Sequence, residues 1–224
     1  MGELDLFELF AHEVRGPLGV IDGAAQTLDL PGDGPDDDQV VVLRDMIRRN
    51  VAQVTRLLER VEVLRDLAHN GSTLRGDPLD LRHLAGEVVA DLRGSNATVA
   101  ARVRPVRGGD VVVLGDADAV REILHNLIRN ALDHAGDGAV EVATRRWDGH
   151  GVVRVRDRGT GIDPADRARV FDLHERARSE APGQGIGLAF GRALAVAQGG
   201  DLRLRSGGEG CTFELLLPHA RDAD

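Results

Sequence analysis

The chain has 224 residues and a formal net charge of −9, because 37 acidic residues outnumber 28 basic ones, all of which are arginine. This charge argues against a nucleic-acid-binding protein, and the length predicts one or two domains. A single cysteine, Cys211, excludes an intramolecular disulfide and fits a reducing, cytoplasmic compartment. No apolar run is long enough to cross a bilayer and the acidic N-terminus does not resemble a signal peptide, so we expect no membrane insertion.

Residues from about 3 to 69 are predicted to form a helical hairpin. Apolar residues of the second helix recur in steps of three and four, which is the spacing of a bundle seam: Val40, Leu43, Ile47, Asn50, Val54, Leu57, Val61, Leu64 and Ala68. The first helix has a less regular face: Leu6, Phe10, Glu13, Pro17, Val20, Ala24 and Leu28. The segment 31–35 predicts the turn, and the three aspartates after it suit a helix N-terminus.

One hairpin offers too little surface to bury a seam of this length, whereas two hairpins complete a four-helix bundle. We therefore expect residues 1–70 to form a homodimerisation domain. The alternative is packing of the hairpin against the second half of the same chain.

After a linker at 71–78, residues 79–224 mix helical and strand patterns, which predicts an α/β sandwich and an α+β fold overall. The predicted helices span about 81–93, 116–134 and 187–198. The predicted strands span 99–103, 110–114, 139–145, 151–156, 201–205 and 211–217.

Four short clusters in this second half point to a nucleotide site, and each is a weak signal alone. Asn126 and Asn130 are four residues apart, so they share one helix face, and an amide oxygen is a suitable Mg²⁺ ligand. Asp157, with Gly159 and Gly161 behind it, follows a strand, where a carboxylate can accept a hydrogen bond from an adenine amino group. A polar helix edge and an ordinary glycine turn are the competing interpretations of these two clusters.

The third cluster, Gly183-Gln184-Gly185-Ile186-Gly187-Leu188, opens a helix, and helix N-termini bind phosphate. It does not follow a strand in a βαβ unit, which excludes a Rossmann site. The fourth cluster, Gly208-Glu209-Gly210, precedes the last strand and has the composition of a tight turn.

In order and spacing, these clusters resemble the N, G1, G2 and G3 boxes of the histidine kinase ATPase domain, which is related to gyrase and Hsp-type chaperone ATPases. Val170-Phe171-Asp172 is similar to a reduced F box, and residues 10–18, FAHEVRGPL, resemble the H box of the phosphoacceptor helix. The resemblance covers nearly the whole chain and implies a two-component sensor histidine kinase core.

The resemblance implies ATP and Mg²⁺ as ligands and a response regulator receiver domain as partner. It makes His12 the phosphoacceptor and Glu13 its acid–base neighbour, with Asn130 on Mg²⁺ and Asn126 near the phosphates. Asp157 would bind adenine. The other implied nucleotide contacts are Gly159, Gly161, Arg176, Gly183, Gly185, Gly187 and Leu188. Because His12 lies about 200° around the helix from Phe10, we expect its side chain to be exposed.

The chain departs from the family pattern at three places. Gly16 stands where Thr or Asn commonly positions water for receiver dephosphorylation, so we expect weak or absent phosphatase activity. Asp133 replaces a frequent lysine near the phosphates, which predicts modest nucleotide affinity. His174 and Glu175 replace aromatic residues of the F box.

Three alternatives remain open. They are a histidine phosphotransferase with a decayed nucleotide domain, a protein-serine kinase or stand-alone ATPase of the same superfamily, and a dimeric scaffold that binds ATP without turnover.

Overall fold

The computed structural model describes residues 3–29, 34–70, 76–172, 186–205 and 210–220. The chain divides into two compact units. The first contains the N-terminal helices through Asn70, and the second contains residues 76–172 and 187–220 of the described chain. Within the described part of the chain, no helix combines the length and apolar character needed to span a membrane.

The first unit is a pair of helices, α1 (Glu3–Leu28) and α2 (Asp37–Asn70). A reciprocal capping box starts α2: the Asp36 carboxylate accepts the Gln39 N–H at 2.8 Å, and the Gln39 side-chain oxygen accepts the Asp36 N–H at 3.2 Å. Asp37 and Asp38 occupy the first turn, where the helix dipole favours negative charge. Residues 31–33 of the predicted turn at 31–35 lie outside the described residues.

The predicted α2 seam is the buried face of that helix. Leu57 and Leu64 are buried, and the other described members, from Val40 to Val61, are half-buried. Ala68 lies outside the described side chains. Asn50 is half-buried, and its amide nitrogen donates to the Met46 carbonyl of its own helix at 2.8 Å.

Val20 of α1 is exposed in the single chain, so it is not part of the face that packs on α2. The buried face runs through Val14, Pro17 and Ala24, with Ile21 half-buried between them. Steps of four and then three residues from Pro17 follow the helix period of 3.6, so that Ile21 rather than Val20 continues the stripe.

The second unit contains two sheets whose strands are mostly antiparallel. β1 (Asp77–Asp80) pairs with β3 (Val112–Gly115) in a two-stranded sheet, with Asp77 opposite Gly115. The five-stranded sheet has the order β2-β4-β5-β7-β6, and only the β2–β4 pair among these is parallel. Its strands are β2 (Arg107–Gly108), β4 (Glu141–Trp147), β5 (His150–Arg156), β6 (Asp201–Leu204) and β7 (Thr212–Pro218).

Three helices accompany this sheet: α3 (Leu81–Ser95), α5 (Ala117–His134) and α6 (Ile186–Ala197). Asp80 caps α3 through the Arg82 and His83 N–H groups, and Asp116 caps α5 through the Ala119 N–H. The fully buried core side chains come from both layers: Ile123, Leu124, Leu127, Ile128, Val153, Leu202, Leu215 and Leu217. The predicted α+β fold with an α/β sandwich is confirmed.

One predicted strand was wrong. Residues 97–102 form a short helix, α4 (Ala97–Arg102), and only Val103 of the predicted strand 99–103 makes a bridge, to Val140. Asn96 explains the difference, because its side-chain oxygen accepts the Thr98 N–H at 2.7 Å and caps the helix. The short strands β1 and β2 were not predicted. The two-residue β2 carries no alternating pattern for a prediction to detect.

Candidate nucleotide site

Two asparagines on α5 leave buried hydrogen-bonding capacity unused. Asn126 is buried and Asn130, one turn later, is half-buried. The amide nitrogen of each is buried and has no hydrogen-bond partner within the described part of the chain. Buried polar groups in native proteins are usually paired, so two unpaired donors on one helix face indicate a place where a polar ligand binds.

The N-terminus of α6 approaches this face through Gly187. A Cβ atom at Gly187 would lie 2.3 Å from the Asn126 side-chain oxygen, far inside van der Waals contact. Glycine therefore lets α6 begin directly against the Asn126 side chain, which would have to move if a larger residue stood at 187. The first N–H groups of a helix have no partner inside the helix and attract anions, so this contact places an anion-binding element beside the asparagine pair.

Asp157 is fixed by the backbone at the end of β5. The residue is 3% exposed, and its Oδ1 accepts the N–H groups of Gly159 at 2.8 Å and Cys211 at 3.1 Å. The Asp157 N–H donates in turn to the Cys211 carbonyl at 3.0 Å. Oδ2 accepts no hydrogen bond from the residues that the structure describes, so one oxygen of an oriented carboxylate remains for a ligand donor.

Gly210 lies directly against Asp157, although the sequence motifs did not identify it as a nucleotide contact. Its φ is +83°, and a Cβ there would lie 2.2 Å from the Asp157 carbonyl oxygen. Only glycine lets the start of β7 come this close to Asp157. The fourth glycine cluster contained the signal, but its role depends on the pairing of β5 with β7, which a local pattern does not reveal.

The α5 helix connects the clusters. A Cβ at Gly159 would lie 2.1 Å from the His134 carbonyl at the helix end, and Gly161 lies beside Gly210. Asn126, farther back on α5, contacts Gly187 as described above. The structure thus brings the described residues of all four clusters together around one helix. Leu188 is buried with the core.

An aromatic contact anchors the predicted F box. The Phe171 ring meets the Phe213 ring of β7 edge to face, with centroids 6.2 Å apart and an interplanar angle of 86°. The Arg192 guanidinium of α6 lies 5.3 Å from the Phe171 centroid. Phe171 is therefore tied to both the sheet and the helix that Gly187 opens.

Two titratable residues of α5, His125 and Asp133, lie near the asparagine pair in the sequence. Burial lowers the pKa of the His125 imidazole, an effect that the negative charge of Glu122 partly opposes, so His125 is neutral at pH 7. Asp133 is exposed. Solvent therefore screens the negative charge of its carboxylate.

Several predicted site residues belong elsewhere. The backbone of His12 lies in α1, but its side chain is outside the described residues, as are Arg176, Gly183, Gly185, His174 and Glu175. Glu13 is half-buried on α1. The helix α1 belongs to one compact unit, whereas Asn126, Asn130, Asp157 and Gly187 belong to the other.

Comparison with known proteins agrees with this geometry. Residues 115–221 match the family of histidine kinase-, DNA gyrase B-, and HSP90-like ATPases. The probable sensor histidine kinase TcrY of Mycobacterium tuberculosis is 32% identical over 216 residues, which is 93% of this chain and 44% of TcrY. The chain therefore spans less than half the length of that relative.

Two solved structures share the fold. The histidine kinase AdeS of Acinetobacter baumannii superposes with a TM-score of 0.73 at 20% identity, covering 93% of this chain and 98% of AdeS. Full-length ShkA in complex with AMPPNP gives a TM-score of 0.64 at 23% identity, covering 98% of this chain and 46% of ShkA. The chain is similar to sensor histidine kinases over 93% of its length, and residues 115–221 match the ATPase family. The predicted resemblance to the sensor histidine kinases is thereby confirmed.

Proposed function

We propose that this chain is a kinase core that uses Mg-ATP to phosphorylate His12 and then passes the phosphoryl group to an aspartate of a receiver domain. The single observation that carries the nucleotide part is the pair of unpaired amide nitrogens on Asn126 and Asn130 beneath the Gly187 turn. The similarity to sensor histidine kinases suggests the acceptor, since His12 is the histidine in the H-box-like segment.

Each part of ATP has a proposed partner in this site. Asp157 keeps one oxygen unpaired for the adenine amino group, because backbone N–H groups hold the other. The triphosphate would lie at the α6 N-terminus, where N–H groups and the helix dipole favour negative charge. Asn126 would donate to a phosphate oxygen with its unpaired amide nitrogen.

Mg²⁺ fits the residues that are present. Among the described residues, no group of three or more His, Cys, Asp or Glu side chains could hold a metal ion. Mg²⁺ commonly binds through one or two protein oxygens, substrate phosphates and water, and the Asn130 amide oxygen suits that arrangement. The ion would neutralise developing charge on the phosphates.

In the proposed transfer, an imidazole nitrogen of His12 attacks the γ-phosphorus while the bond to the bridging oxygen breaks and ADP leaves. The imidazole N–H proton passes to the neighbouring Glu13 carboxylate. Asn126 precedes Asn130 by one turn, at a position where a carboxylate would activate water. An amide is a poor base, which favours transfer to His12 over hydrolysis.

The proposed homodimer has support in the helical unit. After the α1–α2 seam is buried, α2 still exposes Val41, Val51 and Leu58. Such residues suit a second helical hairpin, completing a four-helix bundle.

Gly16 offers no side chain to position water, so we further propose weak receiver phosphatase activity. We place this core on the cytoplasmic side of the cell.

The test is incubation of the chain with ATP labelled at the γ-phosphate, beside His12→Gln and Asn130→Ala. A matched control is His83→Gln, which removes an exposed histidine from α3. We expect acid-labile, base-stable label on the wild type and the control, and none on the other two. Wild-type protein that binds ATP without acquiring label would contradict the kinase and favour a scaffold or phosphotransferase.

A further inference from the structure

The five-stranded sheet carries a charged cluster on the face opposite its helices. A Cβ at Gly151 of β5 would meet Val113, Val111 and Leu81, so this residue points to the helical side. Alternation along β5 turns Arg154 to the other face. There Glu214 of β7, directly opposite Arg154, is surrounded by the arginine face, which we define as Arg145, Arg154, Arg205 and Trp147.

Three guanidinium groups converge on one carboxylate. Glu214 is 1% exposed, and its Oε1 accepts from Arg145 at 3.0 Å and from Arg154 at 2.9 and 3.1 Å. Its Oε2 accepts from Arg205 at 3.2 Å. Both carboxylate oxygens are thus occupied by arginine donors.

The arginines have donors and charge left over. A guanidinium carries five N–H donors, many more in total than one carboxylate can accept. The Arg145 Nε is buried and has no partner in the part of the chain that the structure describes. Two acids on the described strands have partners of their own, because Asp201 pairs with Arg203 at 2.9 Å and Glu141 pairs with Arg158 at 3.3 Å.

The same cluster includes the only tryptophan of the chain. Trp147 is 36% exposed, and its ring centroid lies 5.8 Å from the Arg145 guanidinium carbon and 5.7 Å from that of Arg205. These distances are within cation–π range. The three arginine side chains are about half exposed. Tryptophan and arginine are the residue types that most often dominate binding energy at protein interfaces.

We propose that the arginine face is a docking surface for an acidic segment of another protein. Carboxylates of that segment would bind the spare guanidinium donors, with bidentate geometry available to Arg205 and Arg154. The surplus of two positive charges over Glu214 is the complement of such a segment. The chain as a whole has a net charge of −9, so an extended polyanion such as RNA would be repelled by the rest of the molecule.

The test titrates an acetylated, amidated hexaglutamate peptide into the full chain and follows Trp147 fluorescence, with hexaglutamine as the neutral probe. We expect saturable binding of hexaglutamate alone. Arg205→Gln should weaken it at least fivefold. Arg82→Gln, which removes an exposed arginine from α3, should change it less than twofold. Calorimetric titration of Trp147→Ala gives a second variant, also expected to bind at least fivefold more weakly.

Three outcomes would overturn the proposal. The first is absence of saturable hexaglutamate binding to the wild type, and the second is equal weakening by Arg205→Gln and Arg82→Gln. The third is tighter binding of a single-stranded RNA or of phosphatidylserine vesicles at the same arginines. A thermal unfolding curve for each variant confirms that the protein compared is folded.

Discussion

Two buried carboxylates on opposite faces of one sheet have contrasting environments. Asp157 is held by two backbone N–H groups and keeps one oxygen unpaired, whereas both oxygens of Glu214 are occupied by arginines. Neutral donors orient Asp157 without cancelling its charge. The comparison teaches that a carboxylate prepared for a ligand is fixed by neutral groups, while a carboxylate that joins strands is surrounded by cations.

The largest expected effect breaks the Glu214 side of the comparison. Glu214→Gln removes the charge from a buried group that accepts hydrogen bonds from three arginines, while the half-exposed arginines can be hydrated, so we expect the free energy of unfolding to fall by about 3 kcal/mol. Denaturant unfolding measures it. The ion pair between Arg82 and Asp110 on the surface offers the control. Asp110→Asn removes one exposed partner of this pair and should cost less than about 1 kcal/mol. A loss for Glu214→Gln no larger than the control would show that the cluster contributes little.

The next effect concerns Asp157. In Asp157→Asn the backbone N–H groups require the amide oxygen, which turns the amide nitrogen toward the adenine amino group, so two donors would face each other. We expect about 100-fold weaker ATP binding, or about 2.7 kcal/mol, with little loss of stability. Calorimetric titration with Mg-ATP measures the affinity. Unchanged affinity would remove Asp157 from the nucleotide site.

A third experiment separates backbone strain from close approach. Gly210→Ala and Gly199→Ala both introduce a side chain at positive φ, +83° and +75°. Only at Gly210 would the new atom collide with backbone, 2.2 Å from the Asp157 carbonyl, whereas at Gly199 it lies 3.5 Å from Pro218. We expect Gly210→Ala to be about 1–3 kcal/mol less stable than Gly199→Ala, measured by thermal unfolding. Equal losses would mean that the β7 approach is not tightly constrained.

The smallest expected effect is a pH dependence. Burial raises the pKa of the Glu214 carboxyl, but hydrogen bonds from Arg154 and Arg145 outweigh it, so the pKa of the folded state lies below its ordinary value. The unfolded state then takes up the proton first as the pH falls. Stability from Glu214 is therefore complete above the unfolded pKa of about 4.3 and is lost as the pH falls through the folded pKa.

Unfolding of wild type and Glu214→Gln between pH 6 and pH 3 measures this dependence. The stability gap between the two proteins should narrow as the solution becomes acidic. A gap that stays constant over this range would contradict the assigned pKa direction.

Sequence patterns predicted the parts of this molecule that are local. The α2 seam from Val40 to Leu64 and the asparagine pair on α5 follow from helical period alone, and the glycine clusters follow from motif order. Non-local contacts were missed for a physical reason. The Asn96 cap overrode the strand pattern at 99–103, and the roles of Gly210, Cys211 and Glu214 depend on which strands pair and in which register.

The rate of chemical labelling at Cys211 reports on local opening beside Asp157. Its thiol is the only one in the chain, it is buried, and its backbone N–H holds Asp157. A thiol reagent therefore reaches the sulfur only when this end of the β5–β7 ladder opens. The rate at which one label adds to the intact mass thus reports how often that end opens. A bound ligand that holds Asp157 in place should lengthen the interval between openings.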